Sequence, residues 1–378
     1  MQILHLSDTH LGCMQFNLRE REDDVYDAFN EAVETAIRDK VDAVVHSGDI
    51  FHVPKPSGTA MLKLGEALKR LSEHNIRFFF TLGEHDISRV RDTPAPYVFH
   101  RLGMATYIGD GKPYTYRGLT LVGLHKHRRG EGEQLRERLR GITPSPSGAR
   151  SILVLHQGLG EFHPYAYELV MDDLPAGFDY YAMGHLHDHA VKQHSNGGIV
   201  CYPGSIDPTP GESIREFRKG FCMVDLSGDE ANVEFIQVQS TRKQLRYTVE
   251  YDELDGFIKD IEPRIRGLQK KPILALKVRG RSLDGASVAR TLSRLNDICL
   301  YYIWETEEYG RGVDAGRVYD SRPDVDRELL GLAIKALGDE DAARFAIDEL
   351  LELLNSNDTD GAVDLVWRRF EDMIKQRQ

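Results

Sequence analysis

At 378 residues the chain is longer than one ordinary domain, and its formal net charge of −12 excludes a protein that holds nucleic acid by a bulk positive field. Four cysteines, Cys13, Cys201, Cys222 and Cys299, stand far apart without a C-x-x-C pair, which argues against a disulfide framework and suits a reducing compartment. No apolar stretch approaches the ~18 residues of a membrane span, and the chain starts directly on a strand-like run, so a soluble, cytoplasmic protein is expected.

In chain order, short apolar runs at 3–6, 41–45, 76–80, 119–124, 152–155 and 180–183 alternate with helical patterns, notably 18–39 and 58–74, the latter with Ser57 as its cap. Runs that are continuously apolar predict strands covered on both faces, the habit of layered α/β sheets. From residue 197 the runs 198–202, 220–226 and 232–238 follow closely with turn residues between them, which predicts hairpins in a mixed sheet or a two-sheet sandwich. Past 241 the texture changes to strand 246–251, helix 252–266, strand 272–278, helix 282–296 and strand 298–304, a compact α+β unit. Residues 310–323 are glycine-rich and charged, as linkers are, and 324–378 carry only helix-spaced apolar residues. The expected division is 1–240, 241–309, a linker at 310–323 and a helical tail at 324–378.

The ends of five predicted strands carry the chemistry. Run 3–6 leads into Ser7-Asp8-Thr9-His10, run 41–45 into Gly48-Asp49, and run 76–80 into TLGEHDIS, with Glu84, His85 and Asp86. Run 152–155 ends in His156, and run 180–183 leads into Gly184-His185-Leu186-His187. In open α/β sheets the carboxyl ends of strands converge on one crevice, so a single gathered site is the economical expectation. Carboxylates and imidazoles without cysteine suit divalent manganese, iron or zinc, and an aspartate can bridge two ions. Two ions about 3.5–4 Å apart generate hydroxide and clamp a phosphoryl group for in-line displacement. Glycines 48, 83 and 184 let the backbone pass close to such a centre. Taken singly, an aspartate after a strand is more often a turn or cap, and a lone histidine more often a satisfied core residue. All of these bland explanations would have to hold together.

At these residues the chain resembles the calcineurin-like metallophosphoesterase superfamily. Within it, SDTHLG at 7–12, GDIFHVPKPS at 48–57 and GHLH at 184–187 resemble the Mre-eleven/SbcD double-strand-break-repair nucleases. The superfamily motifs cover residues 1 to about 205 and the closer resemblance extends to about 310. It implies a layered β-sandwich flanked by helices, then a small α+β cap and the helical tail. It also implies two manganese ions, with magnesium, iron or zinc as possible replacements. Asp8, His10, Asp49 and His187 would hold one ion, and Asp49 would bridge to a second held by residue 84, His156 and His185. His85 would sit beside the scissile phosphate and His52 would help to orient it. The implied activity is 3′-to-5′ exonuclease and single-strand endonuclease action on DNA ends. One position departs: the family has asparagine in G-N-H-D, and this chain has Glu84, which adds a charge and a methylene to the ligand set. Retuned metal preference, a weakened nuclease, or DNA binding without cutting all follow as possibilities.

Other surfaces are less specific. Lys126, Arg128 and Arg129, with Arg136, Arg138 and Arg140 after them, form the most basic stretch, and Lys55 lies beside the metal loop; these are the candidate DNA contacts, although charge runs are usually solvated faces. An apolar stripe with Met61, Leu62, Val98 and Leu102 lies where relatives dimerise, so a homodimer is expected. In the tail Leu329, Leu330, Ile334, Phe345, Leu350 and Leu351 would face the coiled-coil base of an SbcC-like ABC ATPase, or else pack internally. No Walker A motif occurs, so ATP hydrolysis must come from a partner. Rival readings are a general phosphatase or cyclic-nucleotide phosphodiesterase, and a DNA-end-tethering scaffold.

Overall fold

A computed structural model describes all residues except 89–91, 146–148, 165–166, 196, 310–318, 321–329, 331–332, 336, 351–364, 368 and 370–378. The chain forms two compact units: Met1–Arg246 with Leu268–Ile273, and Tyr247–Gly267 with Leu274–Gln378.

The first unit holds two six-stranded sheets. In one, parallel strands β1 (Gln2–Leu6), β2 (Ala43–His46), β3 (Arg77–Phe80) and β4 (Thr106–Tyr107) lie side by side. Antiparallel β11 (Gly220–Asp225) and β12 (Asn232–Gln237) extend that sheet beyond β1. The other runs in the order β5 (Tyr114–Tyr116), β6 (Leu119–Leu124), β7 (Ser151–His156), β8 (Tyr180–Gly184), β10 (Ile199–Tyr202), β9 (Ala190–Gln193). Strands β6, β7, β8 and β10 are mutually parallel.

Alternation along each strand explains the unbroken apolar runs. Ile3, Val45, Phe79, Leu121, Val154 and Ala182 point into a core shared by the two sheets. Their neighbours Leu4, Leu6, Val44, Phe78 and Phe80 pack under α1 (Arg19–Arg38) and α2 (Gly58–Glu73). On the far side Leu153, Leu155, Tyr181 and Met183 pack with Leu135 and Leu139 of α4 (Gly132–Arg140). Short α3 (Ala95–Arg101) places Phe99 in the α1/α2 layer. Each wholly buried side chain such as Phe79 is worth about 1.5–3 kcal/mol. Ser57 caps α2 by accepting from Ala60 N at 3.1 Å.

A buried ion-pair network ties the ends of this unit together. Arg21 donates to Asp24 at 2.6 Å and also bonds Asp207. Asp24 in turn accepts from Arg242 at 2.6 Å and from Lys270 at 2.8 Å. Lys270 belongs to the short segment that returns to this unit after an excursion, a boundary that composition does not mark.

The chain enters the second unit within β13 (Gln244–Glu250), followed by α5 (Leu254–Arg266), β14 (Ile273–Gly280), α6 (Gly285–Leu292), β15 (Tyr301–Glu308) and β16 (Tyr319–Asp320). Its sheet order is β13-β14-β15-β16, and α5 buries Leu254, Ile258, Ile261 and Ile265. The strand expected at 298–304 starts later. Ile298 and Cys299 donate their backbone N–H to Leu295 O at 3.1 and 2.9 Å, so they close the preceding helical turn instead. In the tail, Leu330 and Ile334 are helical and half-buried, and Phe345 ends α7 (Glu340–Phe345), followed by a wider turn that includes Leu350. Leu329 and Leu351 lie outside the described residues, as does most of the expected linker.

Candidate metal centre

Three strands of one sheet and two of the other deliver their ends to one place. The loop after β1 brings Asp8 and His10, the loop after β2 brings Asp49 and His52, and the loop after β3 brings Glu84 and His85. Strand β7 ends in His156, and the loop after β8 carries His185 and His187. Asp8, His10, Asp49 and His185 all adopt left-handed φ, at 50°, 44°, 55° and 100°. Such backbone is costly for side chains other than glycine, and the surrounding ladders must over-determine it. Gly48 allows close approach here: a Cβ would stand 2.5 Å from His156 Nδ1, and one at Gly83 would meet the Asp49 carboxylate.

The donors fall into two lobes. Asp8, His10 and His187 make one, with His10 Nε2 and His187 Nε2 facing each other at 3.2 Å. Glu84, His156 and His185 make the other: Glu84 Oε2 lies 2.8 Å from His156 Nε2, and Oε1 lies 2.8 Å from His185 Nδ1. Asp49 sits between them, its Oδ2 3.4 Å from His156 Nε2 and 4.0 Å from His10 Nε2. Thus every residue expected as a metal ligand reaches the cluster.

Partners outside the cluster set the imidazole tautomers. His156 Nδ1 donates to Ser47 O at 2.8 Å, and His187 Nδ1 lies 3.1 Å from Thr209 Oγ1 with Glu212 Oε1 at 3.6 Å. Both rings therefore direct Nε2 inward, the nitrogen that a ligating histidine offers once its proton is displaced. Buried Lys219 supports this edge by donating to His187 O, Ser205 Oγ and Glu212 Oε2, at 2.9, 2.9 and 2.6 Å. The backbone N–H of His85 donates to Asp49 at 2.8 Å, and that of His185 to Asp8 at 3.1 Å. Asp86 accepts from the backbone N–H of Ile50, Phe51 and Gly83, which locks the β2 and β3 loops together.

The electrostatics ask for positive charge. Burial raises Asp8 above the ordinary carboxylate range. Burial would raise Asp49 also, but His156 and His10 overcome it and hold it at about 2. Burial pushes His156 down, yet Asp49 and Glu84 more than reverse this and hold the ring charged. A buried imidazolium among three carboxylates is a poor substitute for divalent ions. His10 Nδ1 and His52 Nδ1 are buried without a hydrogen bond. The donor set fits divalent cations, since it is rich in oxygen and imidazole and holds no sulfur. His52 and His85 stack beside it with centroids 5.4 Å apart, and burial lowers His52 to about 4.

The basic stretch is mostly engaged within the protein. The Lys126 side chain, 9% exposed, pairs with Glu168 at 2.9 Å and lies 3.9 Å from Glu84. Arg136 bonds Asp173, and Arg138 bonds His127 and Asp110 O. Lys55 and Arg128 are exposed, and the side chain of Arg129 lies outside the described residues. Sequence reasoning missed Thr209, Glu212 and Lys219, whose roles depend on a loop folding back over His187. Asp86 was visible in TLGEHDIS, but nothing local told that its partners are backbone.

Residues 1–189 match the calcineurin-like phosphoesterase family. The DNA double-strand break repair protein Mre11 of Saccharolobus solfataricus is 33% identical over 324 residues, covering 83% of this chain and 84% of that protein. Its namesake in Sulfurisphaera tokodaii is 34% identical, covering 80% and 79%. That of Thermoplasma acidophilum is 33% identical, covering 78% and 81%. No helix among the described residues is long and apolar enough to cross a membrane. With the likeness running through the metal-centre loops and well beyond them, the chain belongs to the calcineurin-like phosphoesterase family and, within it, to the Mre11 family of DNA double-strand break repair proteins.

Proposed function

We propose that this chain is a DNA end-processing nuclease that hydrolyses phosphodiesters with two divalent ions, manganese by preference, acting 3′-to-5′ on ends and endonucleolytically on single strands. The observation that carries this reading is the meeting of Asp8, His10, Asp49, Glu84, His156, His185 and His187 around shared space, with Asp49 central. Divalent ions bound there supply an activated water and neutralise charge on the phosphate. The chain's residues do the rest. Asp49, fixed by His85 N–H, holds the two lobes in register, and Ser47 O and Thr209 keep His156 and His187 in the ligating tautomer. His85 Nδ1 donates to His52 O at 2.7 Å, which leaves Nε2 to carry the proton that the departing oxygen needs. His52, stacked on it and neutral at pH 7, orients the phosphate. Exposed Lys55 meets the DNA backbone.

Two partner surfaces accompany this function. Leu62 on α2 and Leu102 beyond α3, 60% and 67% exposed, support a homodimer. The helical turns that carry Leu330, Ile334 and Phe345 support docking on a coiled-coil ABC ATPase, in a cytoplasmic repair complex.

Glu84 favours a second reading, a DNA-end tether with a damped active site, because its carboxylate already engages both His156 and His185. Assays on labelled duplex and hairpin DNA beside p-nitrophenyl phosphate, with and without manganese, separate the readings. Manganese-dependent DNA cleavage is expected. Dye release alone would indicate a general phosphatase, and DNA binding without either product would indicate the tether.

A further inference from the structure

We propose that His189, Cys201 and Cys222 form a second cation site, distinct from the aspartate–histidine centre, for one thiophilic divalent ion of the zinc class. It rests on the fold of the first unit alone and stands whether or not the chain is a nuclease.

The three donors arrive from separate elements. Cys201 lies on β10 of one sheet and Cys222 on β11 of the other, so their side chains meet across the core, with Sγ atoms 3.5 Å apart. His189 immediately precedes β9, and its Nδ1 lies 3.8 Å from Cys222 Sγ. All three donor atoms fall within 4.8 Å of one another. Around a tetrahedral zinc-class ion, bonds of ~2.3 Å to sulfur and ~2.05 Å to nitrogen put sulfurs about 3.8 Å apart and sulfur about 3.6 Å from nitrogen. Both observed separations come within about 0.3 Å of that geometry, so the ion is accommodated by small side-chain adjustments.

The chemistry of the donors also separates this site from its neighbour. Two thiolates and an imidazole select soft or borderline cations, whereas the aspartate–histidine centre contains no sulfur. His5, opposite Cys222 in the ladder, is committed to Tyr180 and Ser47 at 2.8 and 2.9 Å, so it does not compete as a ligand. Although both thiols are fully buried, His189 is not: it lines a cavity of about 240 Å³ together with Phe217, Arg218 and Phe235, which gives one of the three donors access to solvent. On binding, the two thiols release their protons to solvent, and His189 Nδ1 exchanges its 2.9 Å hydrogen bond with Tyr202 O for the ion, the ring taking the Nε2–H tautomer. The bound ion clamps the two sheets together and anchors the loop two residues beyond His187.

The test is to titrate cobalt(II) into the metal-free full-length chain under reducing, oxygen-free conditions and to follow the thiolate-to-cobalt charge-transfer absorption. Oxygen and nitrogen ligands give no such band, so ions bound at the aspartate–histidine centre stay silent. The expected result is a saturable band whose intensity corresponds to one thiolate-bound cobalt per chain, which is bleached by zinc, persists in Asp49→Asn, Cys13→Ala and Cys299→Ala, and is lost in Cys201→Ala and Cys222→Ala. Because those two substitutions are in the core, His189→Gln at the half-exposed position provides a gentler check, with an expected tenfold or greater loss of cobalt affinity. Absence of the band in the wild-type chain, its persistence in Cys222→Ala, or unchanged affinity in His189→Gln overturns the site.

Discussion

Two regions of the first unit bury acidic groups, and they do so in opposite ways. Around Asp24 and Asp207 the chain supplies its own cations: Arg21, Arg242 and Lys270 reach the carboxylates at hydrogen-bonding distance. Around Asp8, Asp49 and Glu84 it supplies imidazoles, some with an unpaired buried nitrogen, and the two nearby lysines, Lys126 and Lys219, are paired with Glu168 and Glu212. The first arrangement pairs each carboxylate with a guanidinium or ammonium of the chain and is structural. The second leaves a demand for positive charge that an external ion must meet, and the left-handed backbone at four of its residues shows that the fold accepts strain to create it. Buried carboxylates alone therefore do not mark a site; buried carboxylates without protein cations do.

The largest expected effect tests the second region. Asp49→Asn should lower manganese-dependent DNA hydrolysis by more than about 100-fold, beyond the 10–100-fold cost of disturbing outer partners of metal ligands. A gel assay that showed near-normal cleavage would remove Asp49 from the centre. The mirror experiment strikes the first region: Asp24→Ala leaves Arg21, Arg242 and Lys270 facing one another and should cost about 3–5 kcal/mol in urea unfolding. A loss under about 1 kcal/mol would mean that these cations find other partners.

Glu212→Gln lies at the edge of the metal centre, and it should weaken manganese binding by calorimetry by about 10-fold or more, because His187 loses its anionic support. Unchanged affinity would leave Thr209 as the sole orienting partner. Glu84→Asn should raise the manganese-dependent cleavage rate by a factor below about ten, equivalent to ~1.4 kcal/mol; equal or lower activity would refute an inhibitory role for the carboxylate.

The smallest effect is a pH dependence. Burial pushes the pKa of Asp24 up, but hydrogen bonds from Arg242 and Lys270, with Arg21 beside them, outweigh it and hold the carboxyl below its ordinary 3.8. Its folded value is the lower one, so its stabilisation is fully present above pH 3.8 and is lost as pH falls through the folded value. The stability gap between the wild-type chain and Asp24→Asn should accordingly narrow as pH falls below about 4. A gap that stays constant in acid would mean that Asp24 titrates normally.

Legibility from sequence followed locality. Continuous apolar runs exposed β1, β2, β3, β6, β7 and β8, since strands covered on both faces have no polar side. Edge strands β4 and β5 carry too few residues to stand out, and β9, with the sequence AVKQ, is largely exposed and carries no apolar run. The metal-centre residues were legible because each sits directly after a strand. The partner of Lys126 was not legible, because a basic run says nothing of the Glu168 that meets it across 42 residues of chain.

By itself, the order of residues determined which groups stand at strand ends, the donor types they offer, and the single departure at Glu84. It could not decide that β1–β3 and β7–β8 belong to different sheets, that Asp49 lies between two lobes, or that Cys201 and Cys222 face each other. Those are distances between residues far apart in the chain, and only close packing of two sheets across a shared core sets them.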